Sequence, residues 1–328
     1  MPDPLVRFIR VEKKGFGLEG KVCYNQKKSP EASPSPNKER GTMANLMTGA
    51  PVAQAIGDRI RADVERLNQQ NIVPTLAIVR VGEDPADLSY EKGLTKKAEA
   101  LGVRVEKTVL PVDVAQEALL EVLEAINNND SIHGCLLFRP LPKHLDARTV
   151  MGALKPEKDV DAMTSGSMGG LVTKEGTGFP PCTAEACLEM LKFYEIPLEG
   201  KNVVVMGRGM AVGMPTALLA IHQSATVTVC HSKTDKKRAL ELCRQADVIV
   251  AAVGRAGMIG AEHVSPGQTI VDVGINVNAE GKLCGDVDFE AVEPIVANIT
   301  PVPRGVGSVT STLLMGHVVR AALRAAGL

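Results

Sequence analysis

A chain of 328 residues, 45% hydrophobic and 23% charged, has the length for two ordinary domains and the balance of a globular protein. Its 37 basic and 38 acidic residues leave a formal net charge of -1, which argues against nucleic acid or a membrane surface as partner. Aromatic residues are only 3%, with no Trp to build base-stacking platforms, and no apolar run approaches the ~20 residues of a membrane helix.

The first 42 residues differ from the rest. Their SPEASPSPNKERG stretch cannot bury much apolar surface, and the segment has neither the apolar core of a signal peptide nor the acid-poor composition of a transit peptide. Residues 1–43 are therefore expected to be a poorly ordered arm, and a start at Met43 would make the preceding stretch a translation artefact. Seven cysteines without a C-x-x-C pair read as reduced thiols of a cytoplasmic protein, and six scattered histidines give no metal-ligand spacing.

Val52, Ile56, Ile60, Val64 and Leu67 recur at helical spacing. TLAIVRV (residues 75–81) reads as a strand, followed by a helix from about Asp87 to Leu101 that Gly102 ends. VRVEKTVLP, VAQEALLEVLEAINNN and GCLLF then read as strand, helix and strand. Residues 155–181, rich in Gly, Ser and Pro, are expected to be a functional loop or linker. A helix (AEACLEMLKFYEI) leads into a second series, with strands NVVVM, TVTVC, VIVAAV and TIVDVGI. The tail from Thr310 is a helix able to pack back on the first series. Strands alternating with helices imply parallel sheets and an α/β fold.

Gly207, Gly209 and Gly213 follow the strand Asn202 to Met206, and Pro215 suits the first turn of the next helix. A glycine-rich turn between strand and helix lets backbone approach a pyrophosphate at a helix N-terminus. The G-x-G-x-x-x-G spacing is one residue longer than the usual fingerprint, so a tight turn without a ligand stays open. Dinucleotide sites that take NAD carry an acid about twenty residues on. Here the next strand ends in His231-Ser232-Lys233-Thr234, which suits a 2′-phosphate and hence NADP. Arg208 can add a bidentate phosphate contact. A solvated polar loop is the alternative.

KDVDAM, PPCTAEA, VVVMGRGMAVGMP, TVTVCHSKT, VDVGIN and ITPVPRGVGSVT, in this order, resemble the bifunctional methylenetetrahydrofolate dehydrogenase/cyclohydrolase family from about residue 44 to 328. The resemblance implies a Rossmann-type NADP-binding domain (186–309) and a smaller α/β folate-binding domain (44–185, completed by a helix at 310–328). It also implies a homodimer, with a reduced folate and NADP held in a cleft between the domains. Gly207, Arg208, Gly209, Gly213, Ser232, Lys233 and Ile275 are the expected cofactor contacts. Tyr90, Asp161, Pro303 and Gly305 are the expected substrate contacts, with Asp161 as the pterin-binding acid.

The family pattern for proton handling is a Tyr followed four residues later by a Lys, which shares its helical face. Tyr90 matches, but the Lys position is Leu94. The Gln of the family's VQLPLP segment, which contacts that Lys, is Phe138 in LFRPLP. Replacing both members of a polar pair avoids stranding either one, so the site reads as rebuilt. Gly209, Ala184, Ala186 and Arg304 are further departures. Lys97, seven residues after Tyr90, is the candidate substitute base, so Tyr90, Asp161 and Lys97 form the expected catalytic set. The expectation is an NADP-dependent dehydrogenase with the cyclohydrolase step weakened or lost. The alternatives are a full bifunctional enzyme with a substitute base, an NADP oxidoreductase for another substrate, and a non-catalytic binding paralogue.

Overall fold

The computed structural model describes residues 43–328, so the arm expected over residues 1–43 lies outside them except for Met43. β1 (Asn45–Leu46) leads into α1 (Gly49–Asn68), whose apolar spacing buries Val52, Ile56, Ile60, Val64 and Leu67 along one face. β2 (Thr75–Val81), α2 (Pro85–Ala100), β3 (Arg104–Leu110), α3 (Gln116–Asn128) and β4 (Gly134–Leu137) then alternate. Asp84 starts α2 by accepting the Ala86 N–H, and Pro85 sits in the first turn, where its missing N–H is harmless. These strands form a parallel sheet in the order β3-β2-β4. The central β2 is covered on both faces and is accordingly apolar along most of its length.

α4 (Ala147–Gly152) and a short 3-10 turn at Pro156–Lys158 follow. The stretch 155–181, read above as loop or linker, instead contains α5 (Ser165–Thr173). The Thr164 hydroxyl caps it by accepting the Ser167 N–H, and Lys174 ends it in the left-handed region. Crowding explains Gly166 and Gly170, where a Cβ would lie 2.3 Å from Pro156 Cγ and 2.0 Å from the Thr177 carbonyl oxygen, but not Gly169, which has open space beside it. Glycine content there serves close packing more than flexibility.

After α6 (Cys182–Phe193) come β5 (Asn202–Met206), α7 (Gly213–His222), β6 (Thr226–Cys230), α8 (Lys236–Gln245), β7 (Val248–Ala251) and β8 (Thr269–Asp272). A small antiparallel hairpin, β9 (Asn276–Val277) and β10 (Leu283–Cys284), precedes α9 (Phe289–Val292), β11 (Asn298–Ile299) and α10 (Thr310–Ala326). The second sheet is parallel throughout, in the order β1-β11-β8-β7-β5-β6. The two-sheet α/β architecture and the Rossmann-type order agree with the sequence. One strand does not: β1 pairs with β11, so residues 45–46 belong to the larger sheet and not to the smaller one. Strand order reverses at β5, with β6 on one side and β7 on the other, which opens a crevice at their carboxyl ends.

α10 is buried nearly all round and packs on α1, α6 and the strands β2 and β4. Its Leu313, Leu314, Met315, Val318 and Val319 are essentially covered. At ~1.5–3 kcal/mol each, their burial stabilises the union of these elements by on the order of 10 kcal/mol before chain entropy is subtracted.

A buried ion cluster ties the small sheet to α2. Glu91 accepts Arg80 Nε at 3.1 Å and Lys107 Nζ at 3.0 Å. Burial would raise the Glu91 carboxyl, but bonds from Lys107 and then Arg80 outweigh it and hold it below the usual range. Arg80 is buried, whereas Lys107 is 40% exposed. Glu91→Ala, which leaves the Arg80 charge buried without a partner, should destabilise the protein by about 3 kcal/mol or more. Lys107→Ala should cost less than about 1 kcal/mol. Urea denaturation of the two variants tests this ranking, and equal losses would contradict it.

Candidate active site

The glycine turn lies at the carboxyl end of β5, where strand order reverses. Gly207 has φ +125°, and a Cβ there would meet the Ala252 carbonyl oxygen at 2.0 Å. A Cβ on Gly213 would meet the Gly207 carbonyl oxygen at 2.2 Å. Both glycines are therefore demanded by the turn itself. Gly209 differs, because nothing lies within 4 Å of an added Cβ. Space is open beside it, just before the N-terminus of α7. The carboxyl ends of the paired strands β5 and β6 carry Arg208 in one loop and Ser232 and Lys233 in the next, and all three are exposed. Ile275, 73% exposed, follows β8 on the same edge of the sheet.

Asp161 lies on a loop held from several sides. Asp159 is fully buried and accepts the N–H groups of Met163 and Thr164 and the Ser167 hydroxyl. Asp159 also bridges to Cys135 of β4. His317 Nδ1 lies 2.7 Å from the Val160 carbonyl oxygen. Asp161 pairs with Arg139 at 3.2 Å. Burial pushes the Asp161 carboxyl above the ordinary range, and Arg139 offsets part of that shift. The two face a cavity of about 530 Å³ whose wall includes Thr164, Cys182 and Thr183, and also Met210 and Ala211 of the glycine turn. The Asp161 loop and the glycine turn thus share one cavity.

Tyr90 lies at the edge of this region, with its ring 5.7 Å from that of Phe138. Burial, then the Asp161 carboxylate, then Cys182 push its phenol up to about 12. Leu94 and Phe138 are both buried in one apolar cluster. Lys97 corrects an expectation. It lines a different groove, with Gln54, Arg61, Ser308 and Thr312, and is absent from the Asp161 cavity. Seven residues advance a helix by ~10 Å, which carries Lys97 past the site.

Pro303 is exposed and Gly305 buried. A Cβ on Gly305 would lie 2.3 Å from the Pro301 carbonyl oxygen, so Gly305 is required by the turn. Neither residue lines the Asp161 cavity. Arg304 between them has φ +80°, a region that favours glycine. Sequence reasoning missed Arg139 as the partner of Asp161, and also Cys182 and Met210 as cavity wall. It missed a buried cluster behind the loop as well. His317 Nε2 lies 2.5 Å from Glu185 Oε2, and Arg320 Nη2 bonds both Glu185 oxygens. Glu185 and His317 are 132 residues apart, so no local pattern joins them.

Family comparison agrees with this geometry. Residues 47–161 match the tetrahydrofolate dehydrogenase/cyclohydrolase catalytic domain, and residues 181–326 match the NAD(P)-binding domain of the same family. A bifunctional protein FolD from Carboxydothermus hydrogenoformans is 50% identical over 281 residues, covering 85% of this chain and 97% of that protein. The chain belongs to the tetrahydrofolate dehydrogenase/cyclohydrolase family. Another FolD, from Alkaliphilus oremlandii, is 44% identical over 279 residues, covering 85% of this chain and 97% of that protein. The crystal structure of the Campylobacter jejuni bifunctional FolD enzyme superposes with a TM-score of 0.82 at 36% identity, covering 86% of this chain and 99% of that one. The Trypanosoma brucei FolD, solved with NADP and an inhibitor, gives 0.80 at 32% identity, covering 88% and 100%. Membership makes this chain an NAD(P)-dependent tetrahydrofolate enzyme.

The Glu185 cluster gives the protein an acid-sensitive element. Burial would raise this carboxyl, but the charge and bond of His317, then of Arg320, bring it from an ordinary 4.5 down to about 2. A depressed folded-state value means that the cluster stabilises fully above the unfolded value. That stability is lost as pH falls from about 4.5 toward about 2. Between about pH 5 and about pH 3 the parent should lose on the order of 2 kcal/mol more stability than Glu185→Gln, which cannot titrate there. Denaturation midpoints at the two pH values check this, and parallel losses would refute it.

Proposed function

We propose that this chain oxidises methylenetetrahydrofolate with NADP as hydride acceptor, and that its hydrolysis of the methenyl product is weakened or lost. The observation that carries the reading is the single cavity shared by Asp161, Arg139 and the glycine turn. NADP, when bound, supplies the carbon that accepts the hydride. Gly207, Gly209 and Gly213 hold the turn that admits its pyrophosphate, Arg208, Ser232 and Lys233 read the 2′-phosphate, and Ile275 covers the crevice. Asp161 offers two acceptor oxygens to the amino-pyrimidine edge of the pterin, with Arg139 as its counter-charge. Pro303 and Gly305 shape the turn that borders the substrate. The folate nitrogen lone pair stabilises the cation as hydride leaves, so this step needs positioning more than a base.

The hydrolytic step needs a group that exchanges a proton. Tyr90, with its phenol pushed up to about 12, stays neutral and can donate a hydrogen bond but does not act as a base near neutral pH. Leu94 and Phe138 exchange nothing, and Arg139 holds its proton too tightly. Lys97, in its own groove, is no longer the favoured substitute. A second reading, the full bifunctional enzyme, is favoured by one observation: the relative at 50% identity is called bifunctional. In either reading the protein works as a homodimer in the cytoplasm.

The cofactor part predicts that removing the side chains of Arg208 and Ser232 together costs on the order of 2–4 kcal/mol in NADP binding, with NAD binding little changed. Fluorescence titration with both cofactors tests it, and equal losses would mean that these residues do not read the 2′-phosphate.

The hydrolytic part predicts methenyl hydrolysis at least about 10²-fold slower than the dehydrogenase step. Leu94→Lys with Phe138→Gln should raise it more than either change alone, because each new polar group needs the other. Separate assays of the two steps decide between the readings. Rapid hydrolysis by the parent protein would favour the bifunctional one.

A further inference from the structure

His317 is fully buried on α10, and both of its ring nitrogens meet oxygen atoms. Nδ1 lies 2.7 Å from the Val160 carbonyl oxygen, and Nε2 lies 2.5 Å from Glu185 Oε2. A carbonyl oxygen only accepts, so the first contact requires a proton on Nδ1. Glu185 accepts Arg320 Nη2 on both oxygens, at 2.9 and 3.1 Å, as a carboxylate does. The second contact therefore requires a proton on Nε2. A neutral imidazole carries one such proton and an imidazolium carries two. The Val160 contact by itself settles that Nδ1 carries a proton.

Its surroundings carry both signs of charge. α6 contributes Glu185 as direct counter-ion and Cys182, whose sulfur lies 3.6 Å from Nδ1. Phe179 stacks on the ring at 4.8 Å, with Arg320 and Arg324 of α10 over the same phenyl group. The loop brings Asp159 and Asp161 nearby. α1 adds Arg59 and Asp63 on the groove that Glu185 and Arg320 share.

We infer that His317 is a positioning residue, whose ring, held by Glu185, clamps the Val160 carbonyl and so fixes the direction in which Asp161 presents its carboxylate. The peptide that carries this carbonyl is the one that enters Asp161, so turning it swings the acid. The inference rests on the reading of Asp161 as the pterin-binding acid. It adds that folate affinity depends on a hydrogen bond given from behind the loop by α10, with α6 holding the ring.

Two neutral replacements separate the bonds. The amide nitrogen of Asn stands near the Nδ1 place, and that of Gln near the Nε2 place. His317→Asn keeps the Val160 bond and should raise the KM for methylenetetrahydrofolate no more than about threefold. His317→Gln loses that bond and should raise it about tenfold, with kcat and the KM for NADP little changed in both. In the parent, ¹⁵N–¹H spectra should show a proton on His317 Nδ1. Equal KM values for the two variants, or an Nδ1 without a proton in the parent, overturn the inference. If neither variant folds, the spectrum of the parent still decides. Asp161→Asn separates the two levels. No change in folate KM there means that the reading of Asp161 has failed. A large change there with none for His317→Gln overturns the clamp alone.

Discussion

A carboxylate can read the edge of a ligand only if the backbone beneath it does not move, and here that backbone is an irregular loop. Loop peptides carry polar groups that must be paired when they are buried. Asp159 meets this demand by gathering two N–H groups and a hydroxyl onto one side chain. Its Ser167 contact reaches the first turn of α5, so the loop and that helix form one unit. The Cys135 bridge joins the unit to β4, and the histidine behind Val160 joins it to α10. Asp161 is thereby aimed by parts of the chain that lie far apart in sequence.

A comparable device holds the nucleotide side. Asp286 is fully buried and accepts the N–H groups of Val253, Gly254 and Arg255 and the side-chain amide of Asn276. Asp272 accepts the N–H groups of Gly274, Asp286 and Val287. Burial pushes its carboxyl up to about 6, against those three bonds, which pull it down. The loops that follow β7 and β8 are thus shaped by acids in the sheet margin, while Ile275 stays free on the surface. In both halves a buried Asp organises the backbone next to a residue proposed to meet a ligand, Asp161 in one and Ile275 in the other.

Much of this was legible in the sequence wherever the signal is local. The apolar stripe of α1 and the Gly207 turn repeat a period or a motif that short-range sterics impose. The acid at position 161 was found through its K-D-V-D setting. What escaped was long-range or counter-propensity. α5 is hidden because it holds three glycines, poor helix formers, two of which are set against Pro156 and Thr177 in the folded chain. β1 is two residues long and has no periodicity to detect. Lys97 was misplaced because spacing along a helix gives a face but not what lies over it. Arg139 stands beside Phe138 in the sequence, yet its pairing with Asp161 needs the loop to be folded first.

The pairing of β1 with β11 links Asn45 to Asn298, across 253 positions. A ribosome delivers these strands at opposite ends of synthesis. Until β11 emerges, the segment that becomes β1 has no neighbour in the sheet, and α1 lacks α10 to cover its apolar face. Contacts of such span close slowly, since the intervening chain must be ordered first. β1, the first strand of the described residues, is therefore among the last to be seated. A nascent chain stalled short of residue 298 would expose the Ile56 and Ile60 side of α1 to whatever chaperone waits at the exit tunnel.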